Sequence, residues 1–179
     1  YGVEPDLIVT AKGITSGYIP LGAVLMSEAI AATLEEDYGF PIGYTYNGHP
    51  TACAVALANL DIIEREGLRA RAHEIGGYLG GQLRDRLGGF DVVGEVRQVG
   101  MMLGVELVTD SVTRAPVLPL TNPPIADLIR AESGVIVRSG RNAIVLSPPL
   151  ILTTGEADRI AVALEDAICR LRPDGTFTS

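Results

Sequence analysis

Pro5-Asp6-Leu7-Ile8-Val9-Thr10-Ala11-Lys12-Gly13-Ile14-Thr15-Ser16-Gly17 is the stretch on which the reading of this chain turns. Asp6–Thr10 carries an unbroken apolar run with two β-branched residues, which predicts a short buried strand. Residues 11–17 follow as a loop punctuated by Gly13 and Gly17, and Leu21–Met26 reads as a second strand. Lys12 is thereby placed just past the carboxyl end of a strand, where open α/β sheets bind ligands.

Lys12 is also the only lysine: Lys and Arg together number 14, and the remainder are arginines. A chain that otherwise uses Arg for its cations keeps Lys where a guanidinium would not serve. An ammonium can lose its proton and attack a carbonyl, whereas a guanidinium stays charged. Gly13 and Gly17 let the backbone pass close to a bulky ligand. The bland alternative is a solvated loop lysine that an Arg-biased composition happened to spare. On these residues alone both readings stand.

Outward from this stretch the chain is dense in helix signals. Ser27 is placed to cap a helix over Glu28–Glu36. Tyr38–Pro50 is loop. Pro50 suits a first helical turn and opens an Ala-rich helix to about Glu66, with Gly67 as its stop. Leu68–Leu87 reads as helix, Phe90–Val96 and Met101–Val108 as strands, and Thr109–Pro124 as a Pro-rich surface loop. A short helix over Ile125–Glu132 ends at Gly134. Short strands follow at Val135–Arg138 and Ala143–Leu146. Thr153 and Glu156 have capping-box spacing before a helix with Ile160, Leu164, Ile168 and Leu171 on one face. A loose tail follows Pro173. Up to about residue 60 the chain reads as the end of an α/β layer, and beyond it as a smaller α+β unit.

Composition excludes several classes. With 47% apolar residues the chain can build a core, yet no run reaches the roughly 18 apolar residues of a membrane helix. A formal charge of −8 argues against a polyanion partner such as nucleic acid. Two Cys and two His at unrelated spacings make no metal set. Without a disulfide framework or a signal peptide, a reducing cytoplasm is expected. Gly76-Gly77 and Gly80-Gly81 lack a preceding strand, so a dinucleotide site is not expected. His49 reads as a helix-start or packing residue, His73 as solvated, and Met101 and Met102 as core.

Residues 5–23, completed by Tyr18-Ile19-Pro20-Leu21-Gly22-Ala23, resemble the lysine region of class III (omega) pyridoxal-phosphate-dependent aminotransferases. Tyr44-Thr45-Tyr46-Asn47-Gly48-His49-Pro50 resembles that family's second signature. Val135-Ile136-Val137-Arg138, followed by Leu146-Ser147-Pro148-Pro149-Leu150, resembles a third, in the family's order. The resemblance implies fold type I, aspartate aminotransferase-like. Residues 1–60 would be the C-terminal remainder of the large cofactor-binding domain, and 61–179 the small α+β domain.

It further implies that Lys12 binds pyridoxal 5'-phosphate as a Schiff base and is the catalytic base. Thr45 would hold the cofactor phosphate, with hydroxyl and amide, across the interface of a homodimer with a shared active site. Arg138 would bind the substrate carboxylate, its flanking Ser139-Gly140 turn permitting movement. For Thr45 the plainer reading is a turn-capping threonine, and for Arg138 a strand-end surface arginine. Ornithine and 4-aminobutyrate members carry an arginine just before the Pro-Pro pair. Here that stretch is Ile144-Val145-Leu146-Ser147, which favours the amine:pyruvate subgroup: a small-molecule primary amine or amino acid as donor and a keto acid such as pyruvate as acceptor. Another class III member with a different donor, or a non-catalytic binding or assembly module on the same fold, are the alternatives. The family's main phosphate loop, ring-stacking aromatic and ring-nitrogen Asp precede the lysine. The chain therefore reads as a C-terminal fragment, expected to be inactive alone.

Overall fold

The computed structural model describes residues 2–37, 39, 42–110, 112–117 and 124–178. The chain divides into two compact units, Tyr1–Glu66 and Gly67–Ser179.

In the first unit, strands β1 (Leu7–Ala11) and β2 (Gly22–Met26) pair antiparallel, with Leu7 opposite Met26 and Ala11 opposite Gly22. A 3₁₀ turn, Lys12–Thr15, begins the connection between them. The expected buried strand is a strand but is not buried: Val9 is 79% exposed and only Thr10 of β1 is half-covered. Two strands offer two apolar faces, and no second layer covers them among the described residues. Helix α1 (Glu28–Asp37) starts after Ser27, whose carbonyl accepts from Ile30 and Ala31. The Ser27 hydroxyl donates to Asp6 Oδ1 (3.4 Å) and does not cap the helix as expected. Helix α2 (Pro50–Arg65) has Pro at its first turn, and the His49 Nδ1 accepts from the Ala52 N–H (3.4 Å). Of the expected Tyr38–Pro50 loop, Tyr38, Phe40 and Pro41 lie outside the described residues.

The second unit begins at Gly67, whose φ of +61° turns the chain into helix α3 (Leu68–Leu87). Strands β3 (Val93–Val99), β4 (Met102–Leu107), β5 (Arg138–Ser139) and β6 (Ala143–Leu146) form an antiparallel sheet in the order β3-β4-β6-β5. Helix α3 packs on β3 and on helix α5 (Thr154–Ile168), and helix α4 (Ile125–Ser133) packs on α5 and β5. Period decides the core: Ile75, Leu79, Leu83 and Leu87 line one face of α3, and Leu103, Val105 and Leu107 one face of β4. The strand period corrects one expectation. Met101 is buried, but Met102 is 63% exposed because it stands on the opposite face from Leu103.

Gly76 and Gly80 permit the helix to lie on the sheet. A Cβ at Gly76 would fall 1.9 Å from the Gly100 carbonyl oxygen, and one at Gly80 3.0 Å from Gln98 Cγ. These glycines are contacts between elements and not a phosphate loop. The capping box forms: Thr153 Oγ1 accepts from the Glu156 N–H (3.3 Å), and Glu156 Oε2 accepts from the Thr153 N–H (2.8 Å).

Three local expectations differ. The strand Val135–Arg138 is reduced to β5; Val135 and Val137 pack on the core while Ile136 is exposed. Within Thr109–Pro124, the described part is not plain loop. Val108 bridges Pro116, the Thr109 N–H donates to Ala115, and Asp110 accepts from the Val112 and Thr113 amides. Ser111 and residues 118–123 of that stretch lie outside the described residues. The tail is not loose: Asp174 accepts from the Thr176 amide and hydroxyl, closing a turn that bridges Leu171 to Phe177.

Candidate functional site

Lys12 opens the 3₁₀ turn with φ +54°, in the left-handed region that disfavours a side chain. Ser16 (+49°) and Gly17 (+78°) share that region, so the connection after β1 holds two non-glycine residues at a cost of about 1 kcal/mol or more each. The turn is over-determined by hydrogen bonds. Ser16 N–H donates to Gly13, Gly17 to Lys12 and Tyr18 to Thr15. Thr15, 1% exposed, donates its hydroxyl to the Ile19 carbonyl (2.7 Å).

From α2, Asn59 Nδ2 donates to the carbonyls of Gly13 (3.0 Å) and Ile14 (3.1 Å), and Asn59 Oδ1 accepts from Ser16 Oγ (2.6 Å). Lys12 itself is exposed and lines an open hollow of about 540 Å³ with Thr15, Gly17, Ile19 and Leu21. The two strands it joins pair antiparallel, so within this chain its setting is a hairpin connection.

Thr45 opens a turn over residues 45–48, stabilised by Asn47 N–H to Tyr44 and His49 N–H to Tyr46, just ahead of α2. Its side chain is exposed, and among the described residues neither its hydroxyl nor its N–H has a partner. Gly48 at φ +64° allows the chain to turn into the helix. Lys12 and Thr45 thus both precede α2 in sequence within one unit, without a hydrogen bond between them among the described residues.

Arg138 belongs to the second unit. It lies on edge strand β5, opposite Val145, exposed and without an ion pair among the described residues. The flanking residues do not form the permissive turn expected. Ser139 is paired with Ile144, and Gly140 donates to the Ala143 carbonyl (2.6 Å) where a Cβ would meet that oxygen at 3.2 Å. Movement of Arg138 is left to its own side chain. The Pro148-Pro149 signature lines a different, apolar hollow of about 360 Å³ with Val135, Leu146 and Ile160, and Arg138 is not in its wall.

Among the described residues the available chemistry is one amine on a hydrogen-bonded turn, one hydroxyl and amide without a partner before a helix, and one guanidinium without an ion pair on an edge strand. Asn59 and Thr15 escaped the sequence reading. The signal for Asn59 was an amide interrupting an Ala- and Leu-rich helix, where Asn has no intrinsic advantage.

Residues 1–168 match the family described as aminotransferase class-III. The solved structure of an amine transaminase from an uncultivated Pseudomonas species, with PLP bound, superposes with a TM-score of 0.88 at 49% identity, covering 94% of this chain and 39% of that one. A diaminobutyrate–2-oxoglutarate transaminase of Halomonas elongata is 42% identical over 94% of this chain and 37% of its own length. A putrescine–pyruvate aminotransferase of Pseudomonas aeruginosa is 37% identical over 89% of this chain and 35% of its own length. The chain therefore spans well under half the length of the relatives it matches.

Proposed function

The chain belongs to the class III aminotransferases, and we propose that it serves, as the C-terminal part of such an enzyme, the transfer of nitrogen from a primary amine to a keto acid such as pyruvate. Pyridoxal phosphate is the cofactor that goes with this family. The residues present fit it. An aldehyde cofactor needs an accessible amine, and Lys12 offers one at the rim of an open hollow on a turn held by hydrogen bonds. A phosphate needs donors, and Thr45 offers a free hydroxyl and N–H. Bound, the cofactor supplies a conjugated electron sink for the carbon that bears the substrate nitrogen.

Lys12 attaches the cofactor. The same nitrogen, when free of the cofactor, would take and return the proton of that carbon. Thr45 anchors the phosphate, in a homodimer from across the subunit interface. Arg138 pairs with the carboxylate of the acceptor, for which a planar guanidinium is suited. Residues 1–60 are on this reading the remainder of the large domain and 61–179 the small domain. The 179-residue chain alone is inactive on this reading, because groups that complete the cofactor site lie elsewhere in the enzyme. A cytoplasmic location is part of this proposal. Separately, no helix among the described residues is long and apolar enough to cross a membrane.

The observation that carries this reading is the sole lysine standing at the turn after β1, in a chain 49% identical to an amine transaminase. The test is a visible spectrum of the full-length protein with pyridoxal phosphate, then borohydride reduction and mass mapping. A visible band and a phosphopyridoxyl adduct on the Lys12 peptide are expected. Absence of both overturns the reading in favour of a non-catalytic module. One relative supports a second reading within the family: the Halomonas protein is named for 2-oxoglutarate. Turnover of an amine with 2-oxoglutarate but not pyruvate would favour it.

A further inference from the structure

We propose that Asn59 is a positioning residue for Lys12: its carboxamide locks the turn that carries the lysine onto α2. This rests on the reading of Lys12 as the cofactor lysine. In this 3₁₀ turn the Gly13 carbonyl accepts one bond from the Ser16 N–H, and the Ile14 carbonyl has no backbone partner among the described residues. Asn59 reaches them from another element, separated by more than forty residues in sequence. Its two N–H donors are spent on Gly13 and Ile14, and its oxygen on the Ser16 hydroxyl. Both ends of one planar amide are therefore bound to the segment immediately after Lys12.

Lys12 and Ser16 sit in the left-handed region, and such a conformation persists only when the surroundings hold it. Thr15 holds the turn from within, through Ile19, and Asn59 ties it to the helix. An arginine-rich chain that keeps one amine gains nothing from it unless the amine is presented in one place. A few tenths of an ångström of freedom at the turn are amplified along the lysine stem.

The residue types that could substitute are few. Asp at 59 keeps the acceptor for Ser16 but cannot donate, and it sets a negative charge beside two carbonyl oxygens. Ala removes all three bonds. Ser16→Ala removes only the hydroxyl and spares both donations.

The experiment uses the full-length enzyme as wild type, Asn59→Ala, Asn59→Asp and Ser16→Ala. Hydrogen exchange is measured on the cofactor-free protein, and visible circular dichroism and absorbance on the protein loaded with pyridoxal phosphate. Loss of both donations is expected to accelerate exchange of the amides of residues 13–18 about tenfold, with the amides of α3 and α5 unchanged. The ratio of visible dichroism to absorbance falls in Asn59→Ala and Asn59→Asp, because a cofactor held by a mobile lysine loses its fixed orientation. Ser16→Ala stays near wild type. Exchange and dichroism unchanged in the Asn59 variants, with the Lys12 adduct still formed, would overturn the positioning role and leave the function intact. A wild type without a Lys12 adduct would overturn the function first. Should Asn59→Ala fail to fold, Asn59→Asp, nearly identical in size, decides by the same two readouts.

Discussion

Gly76→Ala sets two effects of opposite sign against each other inside one helix. Alanine is the better helix former, by about 0.8–1 kcal/mol over glycine. At Gly76, however, the added methyl would sit 1.9 Å from the Gly100 oxygen and 2.4 Å from its carbonyl carbon, where ordinary contact begins at 3.4 Å. The obstacle is backbone, and that backbone is the β3–β4 turn with Gly100 at φ +54°. Neither side yields by rotating a side chain, so α3 must lift from the sheet that Leu79, Leu83 and Leu87 seal. Overpacking of this kind costs about 1–3 kcal/mol or more, which exceeds the helix gain.

Gly77 is the internal control, since nothing lies within 4 Å of a Cβ there. The propensity term is common to both variants and cancels in their difference, leaving the contact cost of about 1–3 kcal/mol or more. Urea unfolding of the full-length protein, followed by hydrogen exchange of α3, should show Gly77→Ala at or above wild type and Gly76→Ala well below it. Equal stabilities for the two variants would refute the close approach of α3 to the Gly100 turn.

Other consequences can be measured on the same protein. Thr153→Ala removes one half of the capping box and should cost about 1 kcal/mol, read as a lower urea midpoint with unchanged slope. Glu106 is held below the usual carboxylate range by the hydrogen bond from Arg114, then by the charges of Arg114 and Arg97, with burial opposing. Asp110, Glu156 and Asp174 are lowered by hydrogen bonds from Thr113, Thr153 and Thr176 respectively. A carboxylate lowered on folding adds stability above its unfolded value and loses it as pH falls through its folded value. Stability of the second unit should therefore drop on acidification below the ordinary carboxylate range, and Glu106→Gln should flatten that drop; an unchanged acid profile would count against the Arg114 contact. Arg138→Lys keeps the charge but loses the two-pronged geometry, so kcat/KM for pyruvate should fall about tenfold while an acceptor aldehyde without a carboxylate is unaffected.

Much of this chain is written locally. The Thr153–Glu156 spacing, Pro50 after His49, the glycines at 67 and 134 and the four-residue apolar repeat of α3 each act through residues within a turn or two. Hydrogen bonds and sterics at that range do not wait for the rest of the fold, and the elements they predict are the ones present. The strand, turn and strand of the lysine stretch were equally legible, whereas composition left Lys12 open between an amine kept for its chemistry and a solvated loop lysine.

What the sequence could not assign depends on which segments meet. Periodicity marks β1 as apolar but does not say whether anything covers it, and in this chain Val9 is exposed. Two adjacent methionines look alike in sequence, yet Met101, in the turn ahead of β4, is buried, and Met102, on the face of β4 opposite to Leu103, is exposed. Gly76 looks like a helix defect until the Gly100 turn is placed against it. Asn59 looks like a surface amide until α2 is laid along the turn after β1. These are contacts between residues tens of positions apart. Local sequence sets the conformations of the two partners, and only chain closure in three dimensions decides that they touch.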